Sequence, residues 1–206
     1  MSQYFQIHPD NPQPRLIRQA VGIIRQGGII AYPTDSSYAL GCHIGDRTAL
    51  ERLRRLRGLD EKHNFTLVCR DLSELSRYAV VDNIAYRLIR SHTPGPYTFI
   101  LRASREVPRR LMTPRRKTIG LRVPDHPIVK ALLDELGEPI LSTTLILPGD
   151  ELPLNDPEEI RARLGRQIDL VIDGGPCPQE PTTVIELVEE PRVLRLGRGP
   201  VDFLEA

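Results

Sequence analysis

Residues 28–41, Gly-Ile-Ile-Ala-Tyr-Pro-Thr-Asp-Ser-Ser-Tyr-Ala-Leu-Gly, set a short apolar run directly ahead of a proline and a cluster of small polar side chains. Ile29, Ile30 and Ala31 follow a Gly27-Gly28 break and suit a sheet strand covered on both faces rather than a surface helix. Pro33 has no N–H to donate, so the ladder stops there. Thr34, Asp35, Ser36 and Ser37 then fall at the carboxyl end of the strand, where open α/β sheets gather ligands. Local chemistry equally allows a solvated turn in which one of these side chains bonds its own backbone.

The remaining chain alternates between the two periods. Leu16, Ile17, Ala20, Val21 and Ile24 recur at helical spacing over residues 14–26. Ala49, Leu50, Leu53 and Leu56 do so over 48–57, a helix that Gly58 ends and whose arginines lie off the apolar stripe. Asp71 and Asp82 are placed to cap helices reaching about residues 78 and 90. Helices over 127–136 and 157–164 begin with proline. Strands are expected at 65–69, after Thr93-Pro-Gly-Pro96, and at 118–124, 140–144, 170–173, 183–188 and 193–196; residues 42–44 extend the strand after the opening loop. The outcome is an α/β (mixed α+β) layer fold, a twisted open sheet with flanking helices.

A chain of 206 residues supports one substantial core, and no shift in composition divides it, so one domain spanning 1–206 is expected. No apolar run approaches the roughly 18 residues of a membrane span. The first ten residues lack a basic head and a long apolar stretch, so no secretory leader and no membrane association are expected. Three cysteines with no pairing pattern point away from disulfides and towards the cytoplasm. Net charge is only +1, yet basic residues cluster at 52–57 and 109–117 and can steer an anion locally.

No phosphate-binding P-loop, nucleophile elbow, His-Glu-x-x-His or Cys-x-x-Cys motif is present. Cys42 and His43 are strand neighbours pointing to opposite faces, and Cys42 and Cys177 read as structural. What stands out is a series of hydroxyls and arginines at element ends. Guanidinium forks can hold a triphosphate without a P-loop, because each matches two phosphate oxygens. Arg122, bracketed by Leu121 and Val123, alternates to its own face of a strand, and an inward arginine needs an anion. His63, His92 and His126 lie near these motifs without a partner that would make them bases.

Residues 33–41, Pro-Thr-Asp-Ser-Ser-Tyr-Ala-Leu-Gly, resemble the opening signature of the YrdC/Sua5/YciO family, the threonylcarbamoyl-AMP synthases and their relatives, most closely its YciO branch. Arg55 and Arg57 stand at the family's Lys-x-Arg pair, Pro94-Gly-Pro-Tyr-Thr98 at its Pro-Gly-Pro-x-Thr turn, and Thr118-Ile-Gly-Leu-Arg-Val-Pro124 at its Thr-x-x-x-Arg-x-Pro strand. Thr182-Thr183-Val184 and Arg195-Leu-Gly197 resemble the two late motifs. Two positions depart: Cys69 replaces a histidine, and Ile146 replaces the asparagine of a Ser-x-Asn motif whose serine Thr144 stands for. The motifs span about residues 14–200, and the further C-terminal domain of longer Sua5 proteins is not expected.

The resemblance implies a YrdC-like fold with a concave basic cleft. It implies a nucleotidyltransferase that binds ATP, L-threonine and bicarbonate, with Mg²⁺ and no direct protein ligand for it, and that serves N6-threonylcarbamoyladenosine formation in tRNA. Thr34, Arg122, Thr144 and Thr182 would hold threonine; Arg55, Arg57, Asn64, Thr118 and Arg195 would hold nucleotide and phosphate. The losses at Cys69 and Ile146 imply reduced or altered activity. The alternative is a double-stranded RNA or tRNA binder of the same fold without full synthase activity, using Arg52, Arg54, Arg115, Arg116 and Lys117.

Overall fold

A computed structural model of the chain describes residues 1–204. In chain order the elements are β1 (Gln3–Gln6), α1 (Pro14–Arg25), β2 (Ile30–Tyr32), β3 (Ala39–His43), α2 (Arg47–Arg57), β4 (Thr66–Val68), α3 (Leu72–Tyr78) and α4 (Asn83–His92). They continue as β5 (Tyr97–Arg102), β6 (Thr118–Arg122), α5 (Pro127–Leu136), β7 (Ile140–Thr144), α6 (Pro157–Leu164), β8 (Leu170–Asp173), β9 (Thr183–Glu186) and β10 (Arg192–Arg195). The ten strands form one sheet in the order β1-β8-β2-β3-β7-β4-β6-β5-β9-β10. β1 and β2 run parallel to β8, β4 to β6 and β5 to β9, and the other pairs are antiparallel. The mixed α/β sheet expected from the alternating periods is therefore present. β1 was not foreseen: Gln3–Gln6 carries no apolar run and becomes a strand by pairing with β8 at the sheet edge.

Helix ends follow local chemistry. Asp46, Asp71, Asp82 and Asp156 each accept a backbone N–H in the first turn of the helix they precede, at 2.8–3.0 Å. Gly58 closes α2 with φ 62°, a left-handed conformation that costs glycine little. Among the described residues no helix is long and apolar enough to cross a membrane.

The two faces of the sheet are covered unequally. On one face α2, α3, α4 and α6 pack Leu53, Leu75, Ile89 and Ile160 against Leu40, Leu67, Phe99, Leu121 and Ile185, so every central strand is roofed. On the other, α1 and α5 cover Leu170, Ile30, Ala39, Ile140 and Val68, belonging to β8, β2, β3, β7 and β4. Each leucine, isoleucine or valine buried in that layer contributes about 1.5–3 kcal/mol. Beyond β4 no helix among the described residues covers the same face, and strand alternation brings Thr118, Thr98, Thr182 and Glu186 up to it.

Candidate functional site

The loop after β2 is built around one hydroxyl. Thr34 Oγ1 accepts the N–H groups of Ser36 and Ser37 at 3.1 and 3.2 Å and donates to the Ser37 carbonyl at 2.6 Å. The turn thus closes through a side chain bonded to its own backbone, but it is not solvated, since Thr34, Ser36 and Ser37 are all buried. A hydroxyl has one proton and two lone pairs, so the Thr34 side chain is spent on shaping the loop. Arg122 seals it from β6: one guanidinium nitrogen, Nη2, donates to Thr34 Oγ1 at 3.3 Å and to Asp35 Oδ1. Asp35 Oδ2 accepts the Asp125 N–H at 2.9 Å, which ties the loop to the segment leaving β6. Arg122 Nε is buried and has no partner among the described residues.

Arg122 does not itself line the nearby cavity, but its strand neighbour does. Phe99 pairs with Leu121 and Ile100 with Gly120, so the next step of the ladder sets Thr98 opposite Arg122. Thr98 and Thr182 bring their hydroxyls within 2.7 Å and line a space of about 650 Å³, together with Arg57, Asn64, Thr144 and Arg195. Arg57 enters from the last turn of α2, donating from Nε to Thr143 Oγ1 at 3.3 Å and from Nη1 to the Ile146 carbonyl. Arg195 Nη2 donates to the Thr182 carbonyl at 2.9 Å and its hydroxyl at 3.3 Å. A Cβ on Gly120 would lie 2.9 Å from Thr66 Oγ1, so glycine keeps the sheet floor low between these walls.

Electrostatically, the lining carries Arg57, Lys62 and Arg195 against the single carboxylate of Glu151. None of the three cations forms an ion pair among the described residues. Burial lowers the Arg57 guanidinium below its usual value, because no anion beside it offsets the lost solvent. Burial and the nearby Arg57 charge push the His63 imidazole down to about 4. Such a lining favours an anion.

A second cavity of about 690 Å³ adjoins the first through Lys62, Asn64, Ile100 and Leu194. Thr118 Oγ1 donates to Asn64 Oδ1 at 3.2 Å and lies 2.8 Å from Thr113 Oγ1. Charges of both signs line this space. Buried Glu186 takes Arg116 at 2.5 Å and Arg192 at 3.2 Å, while Arg115 is exposed at the rim.

Of the residues singled out from sequence, Arg57, Asn64, Thr144, Thr182 and Arg195 line one cavity and Thr118 joins at its neighbour, whereas Thr34 and Arg122 bond each other and line neither. Arg55 does not join them. Two positions along a helix turn the side chain about 200°, so Arg55 is exposed while Arg57 faces inward. Arg52 pairs with Asp169 at 3.0 Å, and Arg54 reaches the Arg110 carbonyl at 3.4 Å and stacks over Phe65. Lys117 lines a third cavity with Arg105 and Arg109. Asp35, Lys62, His63, Thr66 and Thr98 were not selected beforehand. Thr98 was readable from its strand alternation and Asp35 from its motif, but Lys62 carried no signal.

The three cysteines are buried free thiols, and burial pushes Cys42 up to about 12 and Cys177 to about 11, against nucleophilic use. Among the described residues no three His, Cys, Asp or Glu side chains converge as a metal site.

Comparison with known proteins agrees with this fold. The family model Sua5/YciO/YrdC, described as telomere recombination, matches residues 22–197. YciO of Escherichia coli (strain K12), described as an uncharacterized protein, is 62% identical over 98% of both chains, and its crystal structure superimposes with a TM-score of 0.95 over 97% of this chain and 98% of that one. A threonylcarbamoyl-AMP synthase of Halorhodospira halophila is 33% identical over 81% of this chain and 86% of its own. P. abyssi Sua5 complexed with L-threonine is 26% identical and superimposes with a TM-score of 0.91 over 99% of this chain, which spans 60% of that one. The likeness runs through the whole sheet and its helices, and this chain belongs to the Sua5/YciO/YrdC family.

Proposed function

We propose that the cleft binds ATP and L-threonine, with bicarbonate, and makes threonylcarbamoyl adenylate for N6-threonylcarbamoyladenosine formation in tRNA. The observation that carries this reading is the cavity wall of Arg57, Lys62 and Arg195, unpaired cations beside the hydroxyls of Thr98, Thr144 and Thr182. The threonine amine and bicarbonate combine to a carbamate with loss of water. A carbamate oxygen then attacks the α-phosphorus of ATP, and the bond to the pyrophosphate oxygen breaks.

Arg57, Lys62 and Arg195 hold the phosphates and stabilise the charge that builds on departing pyrophosphate. Asn64, its Oδ1 taken by Thr118, has its amide N–H groups left for the nucleotide. Arg122, its Nε unpartnered, meets the amino-acid carboxylate in this reading, with Thr144 and Thr182 offering hydroxyls. Thr34 acts by holding the loop and Arg122 in place rather than by a free hydroxyl. Ile146 puts an apolar side chain on the cavity wall, which supports an altered nucleotide contact. Among the described residues no cation cage forms, so Mg²⁺ would come in on the triphosphate oxygens.

The test is to mix purified protein with ATP, bicarbonate and labelled threonine and follow pyrophosphate. Release that requires both threonine and bicarbonate supports the reading; none under saturating substrates sinks it. A charged hydrogen bond to phosphate is worth about 1.5–3 kcal/mol, so Arg57→Ala should weaken ATP binding roughly tenfold to a hundredfold.

A second reading, binding of tRNA or double-stranded RNA, is favoured by the exposed residues Arg115 and Lys117 at the mouths of the second and third cavities. Backbone contacts of that kind weaken steeply with salt. Affinity for tRNA that does not change between low and high salt would remove this reading.

A further inference from the structure

His63 sits in the segment between α2 and β4, and its ring meets Phe65 edge-on, with centroids 5.4 Å apart at 85°. That contact fixes the plane of the imidazole. The ring lines the first cavity beside Arg57, Lys62 and Asn64, and neither of its nitrogens has a hydrogen-bond partner among the described residues. A half-buried ring nitrogen without a protein partner is met by water or by a ligand. Here both are left to the cavity.

We propose that His63 is a direct contact for the polyphosphate of the bound ligand and takes up one proton from solvent when that ligand docks. The proposal rests on reading this cavity as a phosphate site. The charged groups around the ring are Arg54 and Arg57 from α2, Asp60 and Lys62 from its own segment, Glu151 from the loop after β7, and Arg195 from β10. Without an anion, burial and the two α2 arginines keep the ring neutral, and its value falls to about 4. A polyphosphate beside Arg57 and Lys62 reverses the sign of the local field and favours the imidazolium, which offers two donors instead of one. Ligand binding must then tighten as pH falls towards the value of the free protein, by up to tenfold per pH unit between the free and bound values.

The experiment uses the full chain with inorganic pyrophosphate and with ATP as probes. Dissociation constants are measured by calorimetry at pH 5.5, 6.5 and 7.5 for the parent protein, His63→Gln and Arg57→Ala, and the His63 imidazole resonance is titrated with and without pyrophosphate. Protonation of the probe itself is common to all three proteins and cancels in their ratio. The expected result is that His63→Gln binds about tenfold more weakly at pH 5.5 and less than threefold more weakly at 7.5, with the parent's His63 titrating at higher pH when pyrophosphate is bound. Parallel pH profiles for parent and His63→Gln, or a His63 resonance indifferent to pyrophosphate, overturn the proposal while leaving the phosphate site intact if Arg57→Ala still loses affinity. Failure of the parent protein to bind either probe overturns both. Should His63→Gln not fold, the resonance titration of the parent protein decides.

Discussion

Two halves of one sheet face are built to opposite purposes. Under α1 and α5, the strands β8, β2, β3 and β7 present Leu170, Ile30, Ala39 and Ile140, and water is excluded. A few strands along, β6, β5 and β9 present Thr118, Thr98 and Glu186 to an open cleft. Connectivity explains the boundary. Residues 103–117 join antiparallel β5 and β6, and residues 187–191 join β9 and β10, so neither connection carries a crossover helix over that face. The α1–α5 layer therefore ends at β4, and the residues beyond it must satisfy one another or a ligand. The open half does so with charge: Asp35 with Arg122, and Glu186 with Arg116 and Arg192.

The sharpest way to break this contrast is Arg122→Ala. It leaves the Asp35 carboxylate largely buried without its guanidinium, and the expected loss is about 3–5 kcal/mol in urea unfolding. A loss below 1 kcal/mol would mean the pair does not anchor the open half. In the closed half, Leu132→Ala removes a side chain that is fully buried between α1 and α5 and should cost about 2–5 kcal/mol, while pyrophosphate affinity by calorimetry stays within twofold of the parent. A large fall in affinity would show that the roof and the cleft are coupled. Gly58→Ala probes the junction, one residue past the end of α2 at Arg57. The left-handed φ of 62° and a Cβ 3.3 Å from Pro148 predict a loss of about 1–2 kcal/mol by thermal denaturation, with weaker anion binding as Arg57 shifts. The smallest effect belongs to Arg192→Ala, an exposed partner of Glu186, at under about 1 kcal/mol and shrinking further in high salt.

Much of this molecule is legible one segment at a time. Asp71 and Asp82 announce their helices because a cap needs only its own first turn. Pro127 and Gly137 bracket α5 for the same reason. β1 was illegible because Gln3–Gln6 has no pattern of its own and is held by β8, far away in sequence. Within the site, Arg57 and Arg195 were readable as cations in motifs, whereas the exclusion of Arg55 depended on which side of α2 met the cavity. The pairing of Arg122 with Asp35 needed a strand end and a loop brought together across 87 positions.

By itself the amino-acid order determined the strand and helix periods, their caps and breaks, the family motifs and the inventory of arginines and hydroxyls, since each is written in neighbouring residues. Only the tertiary structure decided which sheet face stayed bare, which cations were left unpaired there, and that Thr34 spends its hydroxyl on its own loop. Those outcomes turn on helix placement and on distances between segments remote in the chain, and charge pairing depends steeply on distance.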